Sequence, residues 1–283
     1  MRYPTEPFAD QGGVVVLAHR GFSGRFPENT ILAYEKAAEL PIDGLEMDIW
    51  ATKDDVLVIS HDDDVARMTN GHGRIPSFTL AELKQLDAGY KFTPDGGRTF
   101  PFRGQGVTIP TMEEVLARFT DLWINVDIKH HEPHVVSLFC DLIHRHDAAA
   151  QLCVGSFSND IVAQFRATCP HVVSLASLAE ISKLFLLNRL HLDQFFGDGG
   201  HAMQIPPRRQ RWGLDVEVVT PRFLDAAHRH DTAVHLWTLN EQAKMRRFVD
   251  MGVDGLITDY PDRALSALGR WSPEPAETQL EPA

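Results

Sequence analysis

Positive charge is scarce in this chain: 27 Lys and Arg stand against 39 Asp and Glu, a formal net charge of −12 over 283 residues. A nucleic-acid partner needs a basic face, so this balance argues against one. It also means that a site for a phosphate has to gather its few cations locally. Cysteine is scarce as well. Cys140, Cys153 and Cys169 are odd in number and lack metal-ligand spacing, which argues against a disulfide framework. Cys153 and Cys169 sit in or beside apolar runs and read as buried thiols, the usual fate of free cysteine. No stretch approaches the ~20 apolar residues of a membrane span, and the opening residues carry no apolar signal region. The expectation is a cytoplasmic protein without stable membrane insertion. Oligomeric state leaves no mark.

What the chain does have is alternation. Short β-branched runs at 14–18, 43–49, 56–60, 122–128, 151–156, 171–176, 201–206, 233–238 and 254–258 alternate with amphipathic stretches at 29–40, 111–119, 133–146, 158–168, 177–190, 220–230 and 241–251. This is the pattern of parallel strands with helical crossovers. The length suits one large α/β barrel or two smaller domains. Nine strands is one more than an eight-stranded barrel needs. The link from Trp50 to Asp55 is too short for a parallel crossover, so 56–60 is either a hairpin return or a strand reached by an irregular bend; a return would bring His61 back towards Glu46. Residues 62–108, rich in Gly, Pro, Asp and Thr, break the rhythm and read as an insertion on the site face, with Thr79 and Glu82 forming a capping box. Residues 272–283, with Pro and Glu throughout, read as a disordered tail.

The polar residues of interest stand where apolar runs end. Val14-Val15-Val16-Leu17-Ala18 delivers His19 and Arg20; Leu45 leads into Glu46-Met47-Asp48; Val56-Leu57-Val58-Ile59-Ser60 delivers His61 and Asp62. Strand ends are where α/β folds build their sites. Side chains two apart on a strand share a face, so Glu46 and Asp48 point together, as do Asn125, Asp127 and Lys129. Glu46, Asp48 and Asp127 make an all-oxygen set suited to Mg²⁺ or Ca²⁺ rather than Zn²⁺; two solvent-facing acids on an edge strand is the plainer reading of the first pair. Arg20 and Lys129 supply charge for an anionic substrate. His19 and His61 are the natural acid/base pair, since only histidine titrates unperturbed near neutral pH. The remaining histidines, His130, His131 and His134 included, lack a spacing that fits Zn²⁺.

His19-Arg20-Gly21, Pro27-Glu28-Asn29-Thr30, Glu46-Met47-Asp48, His61-Asp62, Ile109-Pro110-Thr111-Met112, Val154-Gly155-Ser156-Phe157, Trp237-Thr238-Leu239-Asn240 and Gly252-Val253-Asp254-Gly255-Leu256-Ile257-Thr258-Asp259 together resemble the glycerophosphodiester phosphodiesterases. Each motif is weak alone; their joint order, from about Leu17 to Asp262, is specific. The resemblance implies a TIM-type (β/α)8 barrel over residues 12–265, with a small insertion after the third strand region. It implies catalytic roles for His19 and His61, one divalent metal, Mg²⁺ or Ca²⁺, held by Glu46 and Asp48, and phosphate binding by Arg20 and Lys129. Trp237 would line the pocket for the alcohol group, with packing in the barrel core as the alternative. Asn29 would orient the first loop or cap the helix after it rather than touch substrate. The family's third metal ligand is a Glu; here Asp127 stands there, shorter by one methylene, so direct ligation gives way to a water bridge or a changed metal preference.

The implied reaction is metal-dependent hydrolysis of a small-molecule glycerophosphodiester to glycerol 3-phosphate and an alcohol, by direct attack of water or through a cyclic phosphate. Two other readings stay open. One is a lysophospholipase D-like enzyme acting on lysophospholipids, motivated by the apolar residues 184–196 and the basic run Arg208-Arg209-Gln210-Arg211-Trp212; an ordinary barrel helix followed by a solvated loop is its plain counterpart. The other is a catalytically inactive barrel-fold binding protein, against which stands the presence of both histidines and both metal-type carboxylates.

Overall fold

The computed structural model describes residues 13–272 apart from Asp198 and Trp212; the expected tail therefore lies, beyond Ser272, outside the described residues. Strands β1 (Val15–His19), β2 (Gly44–Ala51), β3 (Leu57–Ile59), β4 (Trp123–Ile128), β5 (Leu152–Gly155), β6 (Val173–Ser174), β7 (Ala202–Ile205), β8 (Arg208–Arg211), β9 (Leu214–Glu217), β10 (Ala233–Leu236) and β11 (Gly255–Thr258) alternate with helices α1 (Ile31–Ala38), α2 (Leu80–Leu83), α3 (Met112–Arg118), α4 (His134–Arg145), α5 (Asn159–Thr168), α6 (Leu178–Arg189), α7 (Pro221–Arg229), α8 (Gln242–Met251) and α9 (Pro261–Ala267). Eight strands run parallel in the order β6-β5-β4-β2-β1-β11-β10-β7. At the remaining seam Ala176 N–H donates to Ala202 O at 2.8 Å and His201 N–H to Ser174 O at 3.1 Å, bringing β6 and β7 together. The chain is a TIM-type barrel.

The extra strand is the hairpin return. β3 pairs antiparallel with β2, Ile49 opposite Ile59 and Ala51 opposite Leu57, and Ser60 N–H donates to Asp48 O at 2.9 Å. His61 is thus carried back to the barrel mouth.

Alternation fixes which side chains face in. Leu45, Met47 and Ile49 of β2 lie fully buried under the helices, which turns Glu46 and Asp48 to the interior. A one-residue slip would bring the carboxylates under the helices and move three apolar side chains, each worth roughly 1.5–3 kcal/mol when fully buried, out of that layer. The interior is layered. Val15, Leu17 and Ile257 pack with Trp123 and Trp237, and across the barrel Asn125 and Gln204 exchange hydrogen bonds at 3.2 and 2.8 Å, so buried amides satisfy one another. The charged layer lies above, at the C-terminal strand ends.

Helix starts follow the side-chain caps in the sequence. Thr79 with Glu82 and Thr111 with Glu114 form complete capping boxes, and Thr220 caps α7 with Pro221 as its first residue. α1 is capped by Thr30, which accepts from Ala33 N–H; Asn29 does not cap it. α8 has no side-chain cap from Glu241, because the neighbouring Asn240 is turned to Thr258 and Asp259.

Residues 62–108 carry two 3-10 turns and α2. Val58, Val65, Ile75, Leu83, Ala88 and Ile109 give this region an apolar cluster of its own. Two features depart from the sequence-based expectation. The basic run after β7 is not a loop: β8 and β9 form an antiparallel ribbon, Arg208 opposite Glu217. Cys169 is not a buried thiol: it forms a disulfide with Cys140, Cα–Cα 5.9 Å, joining α4 to the end of α5, while Cys153 is buried and free as expected.

Candidate active site

Strand register assembles the site. His19 lies opposite Glu46 between β1 and β2, and Asp48 opposite Asp127 between β2 and β4. The ends of three adjacent strands thereby place one imidazole and three carboxylates side by side, and β4 adds Lys129 just past its end. Lys129 Nζ lies 2.6 Å from Asp127 Oδ2 and 3.1 Å from Asp48 Oδ1. Arg20 Nε lies 3.5 Å from Asp48 Oδ2. Arg20 has a left-handed backbone, φ 56°, uncommon for a residue with a β-carbon. The bend lets its N–H donate to Glu46 O at 2.9 Å and to Glu46 Oε2 at 3.2 Å. All the sequence-predicted residues therefore converge on one end of the barrel, with His61 close enough to Asp127 to influence its charge.

The electrostatics are those of crowded, buried acids. Burial, and then the like charge of Asp48, push the Glu46 carboxyl up to about 7. Burial likewise raises Asp127, against the pull of Lys129. Burial opposes the charge on Lys129, yet Asp127 and Asp48 outweigh it and hold the ammonium above its ordinary range. His19 behaves in the same way: burial disfavours its cation, but Glu46 and the hydrogen bond it donates to Asp259 raise it.

Each histidine is held through Nδ1 by an aspartate. His19 Nδ1 is 2.6 Å from Asp259 Oδ1, and His61 Nδ1 is 2.6 Å from Asp62 Oδ1. An ionised carboxylate only accepts, so in both rings Nδ1 carries the hydrogen and Nε2 is the free end. Asp259 is braced further by Ser23 Oγ at 2.9 Å and Asn240 Nδ2 at 2.6 Å. Asp62 also accepts from Arg67 Nε. Arg67 reaches on to Glu28, at 2.6 and 3.0 Å, and Glu28 accepts from Arg20 Nη1 at 3.0 Å. An unbroken chain of ion pairs therefore runs from His61 through the inserted segment to Arg20.

Four of these contacts were not anticipated. Asn29 donates to Asp48 Oδ2 at 3.1 Å and accepts from Tyr34 Oη at 2.8 Å; it orients a site carboxylate. Asp259 follows the apolar run Gly255–Thr258, the same signal that marked His19. Arg67 had no signal beyond its charge, and Glu28 only its place in the run Pro27-Glu28-Asn29-Thr30. Trp237 packs on Val15, Leu17 and Ile257, and its ring meets half-exposed Phe157 edge-on at 6.1 Å. Phe157 in turn lies 4.9 Å from Lys129 Nζ, so an aromatic wall borders the cations.

The donors fit a hard divalent cation in kind. Two buried carboxylates and the partly buried one of Asp127 supply oxygen alone, Asp127 Oδ1 is itself buried with no hydrogen-bond partner, and the raised Glu46 marks negative charge without sufficient compensation. As they stand, however, no group of three or more His, Cys, Asp or Glu side chains among the described residues is arranged to hold a metal ion. The physical reason is visible: the ammonium of Lys129 lies between Asp48 and Asp127, where it already bridges two of the three acids.

Comparison with known proteins identifies the family. Residues 19–263 match the Glycerophosphoryl diester phosphodiesterase family. A glycerophosphodiester phosphodiesterase of Bacillus altitudinis is 30% identical over 256 residues, covering 88% of this chain and 96% of that protein. A human lysophospholipase D is 27% identical, covering 90% of this chain and 86% of its own length. Among solved structures, the glycerophosphoryl diester phosphodiesterase domain of a Mycobacterium tuberculosis protein superposes with a TM-score of 0.80 at 23% identity, covering 92% of this chain and all of that one. An Oleispira antarctica phosphodiesterase in complex with the product sn-glycerol-3-phosphate reaches 0.72 at 25% identity, covering 90% and 96%. The chain belongs to the glycerophosphoryl diester phosphodiesterase family.

Proposed function

We propose that this enzyme hydrolyses glycerophosphodiesters to sn-glycerol 3-phosphate and a free alcohol, using His19 and His61 for proton transfer and a divalent cation held by Glu46, Asp48 and Asp127. The observation that carries the reading is the register: His19 beside Glu46, and Asp48 beside Asp127, on adjacent strands at one barrel end. Arg20 and Lys129 bind the phosphodiester's non-bridging oxygens, the former offering a planar fork and the latter a point charge. Their attraction grows as negative charge develops in the transition state. A bound divalent cation supplies additional charge stabilisation there. Nε2 of one histidine accepts the proton of the attacking hydroxyl while Nε2 of the other delivers a proton to the departing alkoxide, so that one P–O bond forms as another breaks. His19, flanked by Glu46 and Asp259, suits the protonated role. Trp237 and Phe157 form the wall against which the alcohol group lies.

A second reading, hydrolysis of lysophospholipids at the same site, is favoured by one observation: Leu186, Leu190, Leu192 and Phe195 are exposed. Assay of glycerophosphocholine, glycerophosphoethanolamine and lysophosphatidylcholine, each with and without chelator, tests both. Release of glycerol 3-phosphate from the first two, lost on chelation, is the expected result. Replacing either His19 or His61 by Ala lowers the rate by about 10²-fold or more. Near-normal turnover in both variants overturns the catalytic assignment.

A further inference from the structure

The surface around the end of α6 is unlike the rest of the molecule. Among the described residues five large apolar side chains are exposed, and four of them lie within ten residues: Leu186 (58% exposed), Leu190 (57%), Leu192 (40%) and Phe195 (68%). Leu186 and Leu190 are four apart and share a helix face. Leu184, on another face of the same helix, and Phe196 supply the buried contacts, so folding does not require the exposed four.

Charge changes in the same region. Between residues 183 and 230 there are seven Lys and Arg and five Asp and Glu, a net +2 within a chain of −12. Arg189, at the last turn of α6, donates to Glu217 O at 2.8 Å, which ties the apolar patch to the base of the β8–β9 ribbon. Arg208 pairs with Asp215 across that ribbon, and Arg209 is exposed. The ribbon follows β7, so it rises from the barrel end that carries the site. The fifth exposed apolar residue, Phe157, stands at the same mouth. Arg189 thus joins the exposed apolar side chains to the arginines of the ribbon on the flank of an acidic protein, while Asp193 and Phe196 rest against His230 at the C-terminal end of α7.

We propose that this surface docks the enzyme on an anionic phospholipid bilayer, with Leu186, Leu190, Leu192 and Phe195 entering the interface and Arg189, Arg208 and Arg209 meeting the lipid phosphates. Such a surface combines the two contributions that peripheral binding needs, buried apolar area and attraction to anionic headgroups. A second copy of the chain fits less well, because a two-fold contact would set the same arginines against each other. Docking goes beyond the hydrolytic reading and is measured without turnover.

The test is co-sedimentation of the full chain with vesicles of phosphatidylcholine alone and of phosphatidylcholine mixed with phosphatidylglycerol. Expected is retention on the anionic vesicles only, weakened by added salt. The double variant Leu190→Ser/Phe195→Ser loses at least about tenfold in vesicle affinity, and Arg209→Glu loses affinity for the anionic vesicles, while hydrolysis of a soluble glycerophosphodiester by both stays unchanged. Equal pelleting with both vesicle types at low salt, or undiminished binding by the double variant, overturns the proposal. So does a dimer in light scattering that becomes a monomer in the double variant, since a second copy would then cover the patch.

Discussion

His19 Nδ1 lies 2.6 Å from Asp259 Oδ1, joining the end of the first barrel strand to the end of the last across 240 residues of sequence. Burial disfavours charge on Asp259, but the His19 contact holds its carboxyl below the ordinary range. The aspartate fixes the tautomer and steadies the imidazolium, and Nε2 is left facing Glu46 at 3.9 Å. Asn in its place can present an amide donor to Nδ1 and reverse the tautomer. Asp259→Asn is therefore expected to lower kcat by about 10²–10⁴-fold with KM little changed. It also moves the His19 limb of the pH–rate profile to lower pH, because a carboxylate that raised the imidazole is gone. Asp259→Glu restores part of the rate. A profile that stays in place while the rate falls would assign Asp259 to folding alone.

Arg67 offers a different separation of effects. It holds Asp62 and Glu28 together, and although burial works against both carboxylates, Arg67 keeps each below its ordinary range, with Arg20 assisting at Glu28. The arginine side chain is 45% exposed, so its ion pairs contribute little to stability, ~0–1 kcal/mol. Its contribution is geometric, through His61 on one side and Arg20 on the other. Arg67→Ala is expected to leave Tm nearly unchanged while lowering kcat/KM by roughly tenfold, equivalent to ~1.4 kcal/mol. Arg67→Lys does not recover the loss, since an ammonium cannot reproduce a fork shared by two carboxylates. A fall in Tm with unchanged kinetics would contradict this role.

Much of this arrangement was legible in the chain because strand alternation is rigid. Once Leu45 and Met47 are placed under helices, Glu46 and Asp48 have to face in, and Ile124, Val126 and Ile128 do the same for Asp127. The short link after Trp50 excluded a parallel crossover and left the return that carries His61 as one of two readings. What escaped depends on partners distant in sequence or on elements without a core face. Asp259 carried the strand-end signal, but its partner His19 is set only when the barrel closes. Asn29 looked like a cap because Thr30 beside it offers the same chemistry. The Arg208–Arg211 strand shows no apolar alternation, since its two-stranded ribbon stands off the core. Cys140 and Cys169 meet only after α4 and α5 pack.

The raised carboxyl of Glu46 makes a prediction about stability. Burial and Asp48 lift it from 4.5 to about 7, so the folded state binds this proton more tightly than the unfolded chain does. The contribution is full below about 4.5 and is lost as pH rises through 7. Without added metal, the wild type is expected to lose stability relative to Glu46→Gln between pH 5 and pH 8, by at most on the order of 3 kcal/mol at ~1.4 kcal/mol per pH unit. Thermal melts of both proteins in chelator measure the difference. Adding Mg²⁺ or Ca²⁺ at pH 8 raises Tm of the wild type more than that of the variant, because the cation compensates the ionised carboxylate. Parallel pH dependence in the two proteins would show that Glu46 is not the strained acid.

Lys129 and the third carboxylate decide the last question. Its ammonium lies between Asp48 and Asp127, two of the three oxygen donors, and so competes with a divalent cation for them. Two unit charges ~4 Å apart interact by about 4 kcal/mol at an effective dielectric of 20, which bounds how strongly the lysine can oppose the metal. Lys129→Gln keeps a donor to both acids and removes the charge. It is expected to tighten Mg²⁺ or Ca²⁺ binding in a calorimetric titration while raising KM for the phosphodiester, since the substrate loses a cation. Asp127→Asn is expected to weaken divalent binding, and Asp127→Glu to strengthen it by extending the carboxylate one methylene past the ammonium. Opposite movements of metal affinity and KM in the lysine variant are the signature of a residue shared between the two ligands. If Lys129→Gln loosens the metal as well, the ammonium instead holds the carboxylates in place for it.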